Sequence, residues 1–470
     1  MELRHGDLKA MKYLFFGAAL AGIVPAVLLM VCDRRWIRWF TLGLTLPLIV
    51  FNTTAINFFS HETYRGTARG MEISIIYITA FSLLLGLILH GKKIRLIPDT
   101  GSLLYLCYFL CSIPSLMNAE NSLFSFFELW KMLMIYLVFL SVYNYLEYSQ
   151  GDFDILMYGF AAVIFINFFV VLQQHIHGIY QVRGIFPHQN SMAMCMMMAG
   201  MLFFARIFNQ KEGFRTKVFI AAFFIASVSL VRTYSRGALF CYPLAGMLTM
   251  GFSFTKGFSF RKITLTGVLV LCGLAGLLLF LPKIIYRFEN APKSSGETRK
   301  NFAIAALNMI RDKPLAGVGL NNWGIKINPP YEYSQHRDPK KGFTEDFKDG
   351  IVETIYLLVG AECGVPCLIL LLVWFGYYWI SCIRLMKKFR GSRYFYLPAG
   401  IFGALSGAYL QSTLEWILKQ QINFMWLMIL FSFISYLNRH VRELQELELE
   451  QKLELEQRRK LNSSRQAEAS

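Results

Sequence analysis

ITLTGVLVLCGLAGLLLFLPKIIYRFENAPKSSGETRKNFAIAALNMIRD, residues 263–312, carries both halves of the fold in one reading. Its first part, to Leu281, is apolar for the length of a helix that crosses a bilayer. From Pro282 the chain turns polar and stays so to Val352, with Arg287, Arg299, Arg311, Asp338, Glu345 and Asp346 along it and Glu353 at its downstream edge. Within that polar stretch Ser294-x-x-Glu297 resembles a capping box. Phe302, Ala305, Ala306, Met309 and Ile310 then recur at helical spacing, which predicts an amphipathic helix across the outer surface, stopped by Pro314. Asn328–Gly350 reads as a loop able to reorganise over substrate.

Outward from this stretch, further apolar spans repeat along the whole chain. Candidate crossings fall at 13–31, 39–58, 71–90, 101–117, 123–146, 154–174, 191–209, 217–231, 236–253, 263–281, 353–380, 395–411 and 421–437. The expected fold is all-α and polytopic, about 12–13 helices, with one large outer loop containing short helices. Its units are 1–281, the loop 282–352, a closing set of helices 353–437 and a charged cytoplasmic tail 438–470. Glu448/Lys452, Glu454/Arg458 and Glu456/Lys460 support a helix in that tail.

Composition agrees. The 470 residues are 55% hydrophobic and 16% charged, against about 25% charged in soluble domains. The net charge of +17 does not indicate nucleic acid, because the basic residues cluster in short connections on alternate sides: Arg34, Arg35, Arg38; Lys92, Lys93, Arg95; Arg206, Arg215, Lys217; Lys256, Arg261, Lys262; Lys387, Lys388, Arg390, Arg393. That is the positive-inside pattern of a multi-pass membrane protein. Cys107/Cys111 and Cys363/Cys367 are four apart and make neither a zinc nor a redox motif, so no disulfide, metal or cofactor is expected. The first span lacks a small-x-small cleavage site and reads as a retained helix.

Candidate chemistry sits at the outer helix mouths. Arg232 and Arg236 bracket the turn in VRTYSRGALF, with Ser235 placed as an N-cap. A helix amino terminus beside a guanidinium suits a diphosphate, and headgroup contact is the plainer use of the same residues. Arg183 begins another outer loop, where His188, Gln189 and Asn190 suit sugar hydroxyls or only a cap and turn. Arg65 and Arg69 are weaker candidates. Glu353 opens a crossing, Tyr356 lies one turn on, and Glu362 lies deeper, where an ionisable group is a functional hypothesis unless an arginine pairs with it. The run Glu345, Asp346, Asp349 reads as a solvated loop before a cation site.

At these residues the chain resembles the O-antigen ligase and polymerase superfamily of bacterial envelope proteins. GIFPHQNSMA, TYSRGALF, ETRKNFAIAALNMIRDKPLAGVGLNNW, VETIYLLVGAECGVP and STLEW follow one another in the order and spacing of that family. The resemblance implies glycosyl transfer at the periplasmic face of the bacterial inner membrane, from an undecaprenyl-diphosphate-linked glycan to a lipid or glycan hydroxyl. It implies essential arginines at Arg236 and Arg299. A histidine normally opens the helix matched by VETIYLL, and here Glu353 stands in its place. The implied catalytic set is Glu353 as base with Arg236 and Arg299 on the diphosphate. Arg183, His188, Asn190, Arg232, Tyr356 and Glu362 are the substrate-binding candidates. A repeat-unit polymerase is the alternative within the class; a flippase for lipid-linked sugars is the alternative outside it.

Overall fold

The computed structural model describes residues 13–45, 56–210, 213–289, 293–333 and 350–468, apart from 15, 62, 63, 329 and 332. The acidic run 345–349 and most of the loop after Asn328 lie outside the described residues.

Helices α1 (Ile23–Cys32) and α2 (Arg35–Thr45) precede a hairpin of β1 (Ile56–Ser60) and β2 (Gly70–Ile73). Then come α3 (Ile75–Leu89), α4 (Thr100–Ser112), α5 (Ser122–Ser149), α6 (Phe153–Ile176), α7 (Gln189–Asn209), α8 (Phe214–Arg232), α9 (Arg236–Thr255) and α10 (Phe260–Glu289). The polar stretch supplies α11 (Lys293–Asp312) and the single turn α12 (Trp323–Lys326). Helices α13 (Ile355–Lys388), α14 (Tyr396–Gln411), α15 (Gln421–Arg439) and the tail α16 (Val441–Glu468) complete the chain. Eight of the described helices are long and apolar enough to cross a membrane, and the protein is multi-pass.

Every expected crossing except 39–58 coincides with a helix. There α2 is described only to Thr45, and Ile56–Ser60 pairs antiparallel with Gly70–Ile73, Ile56 opposite Ile73. The all-α fold stands, and the correction falls on the crossing expected at 39–58. Aromatic and β-branched residues favour the pleated form, and Asn321 fastens the loop between the strands. Its side chain accepts from Thr67 N at 2.8 Å and donates to the carbonyls of Ala68 at 2.8 Å and Phe124 at 2.9 Å. The helix α11 starts at Lys293, so Ser294 already lies within its first turn and does not precede it as a cap.

The basic connections gather at one end, where backbone carbonyls receive them. Lys256 donates to Ser392 O at 2.8 Å, Arg261 to Ile207 O at 2.9 Å and Arg390 to Thr255 O at 2.8 Å. The tail docks here through Glu448, which accepts from Arg393 N at 3.1 Å.

Two packing devices position the opposite end. The first is the small-residue face of α14. A Cβ added at Gly400 would lie 2.8 Å from Leu202 Cα, and one at Gly407 would lie 2.6 Å from Met197 Sδ. Small residues let apolar helices approach to backbone contact, so α14 seats directly against α7 and α9. The second is a kink in α13. Gly364 has φ 83°, a conformation that suits glycine, and Pro366 supplies no N–H. The carbonyls thereby released are taken by the loop after α11: Val318 N donates to Ala361 O at 2.9 Å, and Gly319 N to Glu362 O at 3.0 Å. Val365 N in turn donates to Pro314 O at 2.8 Å. KPLAGVG and AECGVP thus interlock, and the end of α11 is tied to the start of α13.

Candidate functional site

Helix α11 buries the face predicted for it. Phe302, Ala305, Ala306 and Met309 pack with Val318, Trp323, Val352, Leu358 and Ala361 in one apolar cluster. Arg299 lies one turn before Phe302 on the same side, and that register aims it at the entry to α13. Its Nη2 meets Glu353 Oε2 at 3.1 Å, with side-chain exposures of 39% and 42%. Arg299 Nε has no hydrogen-bond partner. Glu353 sits just outside the helix, whose N-cap is Thr354. The first helical N–H, of Ile355, donates to Ser412 O at 3.2 Å, which binds this entry to the end of α14.

Arg236 is the first residue of α9. Ser235 caps that helix, accepting from Ala238 N at 3.4 Å. The turn before it holds Tyr234 at φ 48°, with its hydroxyl buried and unpartnered. Behind Arg236, Gly237 faces the end of α14; a Cβ there would be 3.5 Å from Glu415 Oε1 and 3.8 Å from Gln411 Cγ.

Glu415 is the residue that brings the parts together. It is 5% exposed, and Oε2 has no hydrogen-bond partner. Burial pushes its carboxyl up to about 8, with the Glu353 charge adding to the rise. Arg299, the Asn190 amide and Arg236 work in the opposite direction. Three groups distant in sequence, Arg236, Arg299 and Glu353, therefore act on one carboxyl. Gln411, fully buried a turn earlier, has neither amide atom hydrogen-bonded.

The other candidates divide. Asn190 joins the cluster through Glu415. His188 is the N-cap of α7, its Nδ1 accepting from Asn190 N at 3.2 Å; partial desolvation of the ring and the nearby Arg183 lower its pKa. Arg183 is exposed, with a 3.5 Å contact to Pro187 O. Arg232 turns away to pair with His175. Tyr356 donates to Tyr409 O at 3.0 Å and so ties α13 to α14.

Glu362 belongs elsewhere. It is 1% exposed, meets Lys419 Nζ at 3.1 Å, and accepts from Trp323 N at 3.3 Å. Lys419 also faces Glu128 at 3.6 Å, and Glu128 pairs with Lys131 at 2.6 Å. Burial works against the Lys419 charge, yet Glu362 and Glu128 outweigh it and hold the ammonium above its usual range. The expected arginine partner of Glu362 is thus a lysine, supplied by the short 3-10 turn Ile417–Lys419. This quartet fastens α5 and α13 to the turn before α15.

Sequence reading missed Glu415 although STLEW had been noticed. A signal was there: it is the only carboxylate between Glu362 and Glu443. Among the described residues no group of three or more His, Cys, Asp or Glu side chains is placed to hold a metal ion.

The O-antigen ligase family matches residues 221–372 of this chain. That segment contains Arg232, Arg236, Arg299, Glu353, Tyr356 and Glu362, and stops short of Glu415. No curated protein matches the sequence.

Proposed function

We propose that this chain, whose segment 221–372 matches the O-antigen ligase family, is an enzyme of cell-surface polysaccharide synthesis that moves a glycan from an undecaprenyl-diphosphate carrier to a hydroxyl acceptor. The acceptor is a lipid or another glycan. The site end faces the periplasm, the basic end and the tail α16 face the cytoplasm, and the membrane is the bacterial inner membrane. The division into 1–281, 282–352, 353–437 and 438–470 is proposed with it.

One observation carries this reading. A half-open Arg299–Glu353 pair lies in the field of the buried Glu415, which stands against the α9 turn that carries Arg236. A diphosphate fits the arginines, because a guanidinium fork matches phosphate oxygens and the α9 amino terminus adds its dipole.

The chemistry follows from the placement. At rest Arg299 holds Glu353. A bound diphosphate competes for the same guanidinium, draws Arg299 over and leaves Glu353 free to accept a proton. The acceptor oxygen attacks the anomeric carbon, its proton passes to Glu353, and the carbon–oxygen bond to the diphosphate breaks with the electron pair on the phosphate oxygen. Arg236 and Arg299 neutralise that charge, so no separate acid is required at the leaving group.

The test is transfer from a purified polyprenyl-diphosphate donor by full-length protein in nanodiscs. Glu353→Gln keeps donor binding and loses turnover by about two to four orders of magnitude. Glu353→His restores part of the activity, with a pH profile moved toward the imidazole range. Near-normal turnover by Glu353→Gln removes the carboxylate from the chemistry. Deletion in the native host separates the two members of the class: chains left whole on the carrier mean a ligase, single repeat units mean a polymerase.

A further inference from the structure

We infer that Glu415 is the charge gate of the donor site: a carboxylic acid that, kept uncharged, adds no second carboxylate beside Arg236, Arg299 and Glu353 when the anionic donor arrives. The inference rests on the donor site proposed above.

The geometry leads to it directly. Glu415 stands at the end of α14, against the first turn of α9 that carries Arg236, and it lies in the field of Glu353 and Arg299. Its neighbours from each packed element are Arg236, Gly237 and Cys241 of α9, Asn190 of α7, Arg299 of α11, Glu353 before α13 and Gln411 of α14. A carboxylate at 5% exposure with one oxygen unpartnered loses hydration that the Asn190 amide and the arginines replace only in part. A second carboxylate in the same cluster opposes ionisation further. Two guanidinium groups and the α9 dipole pull the other way, and the balance leaves the acid titrating at about 8.

The sign is that of a raised carboxyl. Folding favours the protonated form, an advantage complete below the unfolded range and lost as pH rises through about 8. Below that point Glu415 adds no charge beside Arg236, Arg299 and Glu353. Above it Glu415 adds one negative charge to them, and the attraction for a doubly charged diphosphate diester weakens. The ionised Glu415 would also compete with the donor for the same guanidinium groups. Glu415 acts through the arginines and is a positioning residue. Its signature is therefore a pH-dependent donor affinity, which a purely structural carboxyl would not produce.

The experiment measures binding of a synthetic farnesyl-diphosphate-linked sugar to the full-length protein in nanodiscs. Both phosphates of this diester keep their charge throughout the range used, from about pH 7 to about pH 9.5. The wild-type protein loses about tenfold or more in affinity across it. Glu415→Gln, which fixes the neutral state, binds with one affinity throughout. Glu353→Gln, which removes the neighbouring charge, moves the wild-type transition to lower pH and keeps the inference testable should Glu415→Gln fold poorly. A wild-type affinity that stays flat overturns the gate, as does a Glu415→Gln protein that retains the transition. Absence of binding at every pH overturns the donor site and the gate together, whereas binding without a transition overturns the gate alone.

Discussion

Two clusters of mixed charge lie in this molecule, and they are built on opposite principles. In the buried quartet Glu128, Lys131, Glu362 and Lys419, each side chain is at most 5% exposed and each charge has an opposite partner. In the other, Arg299 and Glu353 are about two-fifths exposed, and Glu415 beside them is buried; a carboxylate oxygen without a hydrogen bond occurs in both clusters, Oε1 of Glu128 and Oε2 of Glu415. Completed pairing inside a protein locks helices together, because breaking one pair strands the other charge. Incomplete pairing at a helix mouth leaves groups able to change partners. The first arrangement holds α5, α13 and the turn before α15; the second is suited to a ligand that arrives with its own charge.

Substitutions separate the two. The largest effect is expected on turnover at the open cluster, where Glu353→Gln lowers transfer by about two to four orders of magnitude. Its thermal midpoint should stay near that of the wild type, since an exposed pair contributes roughly 0–1 kcal/mol. An equal loss of stability would merge the two clusters into one structural network. Next comes Lys419→Met in the closed cluster, which strands Glu362, leaves Glu128 only Lys131, and costs about 3–5 kcal/mol. Denaturation in detergent reads this out, and a stable Lys419→Met protein would contradict the account of the quartet. Smaller is Arg236→Lys, which keeps the charge and removes the fork; donor affinity should weaken about tenfold with folding intact. Smallest is Ser235→Ala, which deletes the α9 cap for about 1 kcal/mol of stability. Its donor affinity should fall less than that of Arg236→Lys, and the reverse order would put the helix terminus ahead of the guanidinium.

The contrast also explains which expectations were legible in the chain. Arg236 was readable beside a local signal, the cap at Ser235, whereas Arg299 came from the resemblance to the O-antigen ligase family. Glu353 was readable as the polar start of a long apolar run. Glu415 was not, since it lies between two helices with no periodic pattern to give it a side. Its place depends on Gly400 and Gly407 letting α14 sit against α7 and α9. Glu362 was noticed for its depth, but its partner came from a 3-10 turn fifty-seven positions later. The hairpin 56–73 was overlooked because a short apolar strand beside an apolar helix reads as one crossing.

The helices, their approximate ends, the alternation of basic connections and the buried face of α11 are legible in the chain alone. Each of these is a property of neighbours along the chain, where apolar length and a repeat of 3.6 act within one element. The pairing of Lys419 with Glu362, the closing of the hairpin by Asn321 and the place of Glu415 beside Arg236, Arg299 and Glu353 come from the tertiary fold. Those partners are selected by which helix faces can approach closely, through glycines on α14 and the Gly364–Pro366 kink in α13. That selection is a matter of fit between distant surfaces, and spacing along the chain does not encode it.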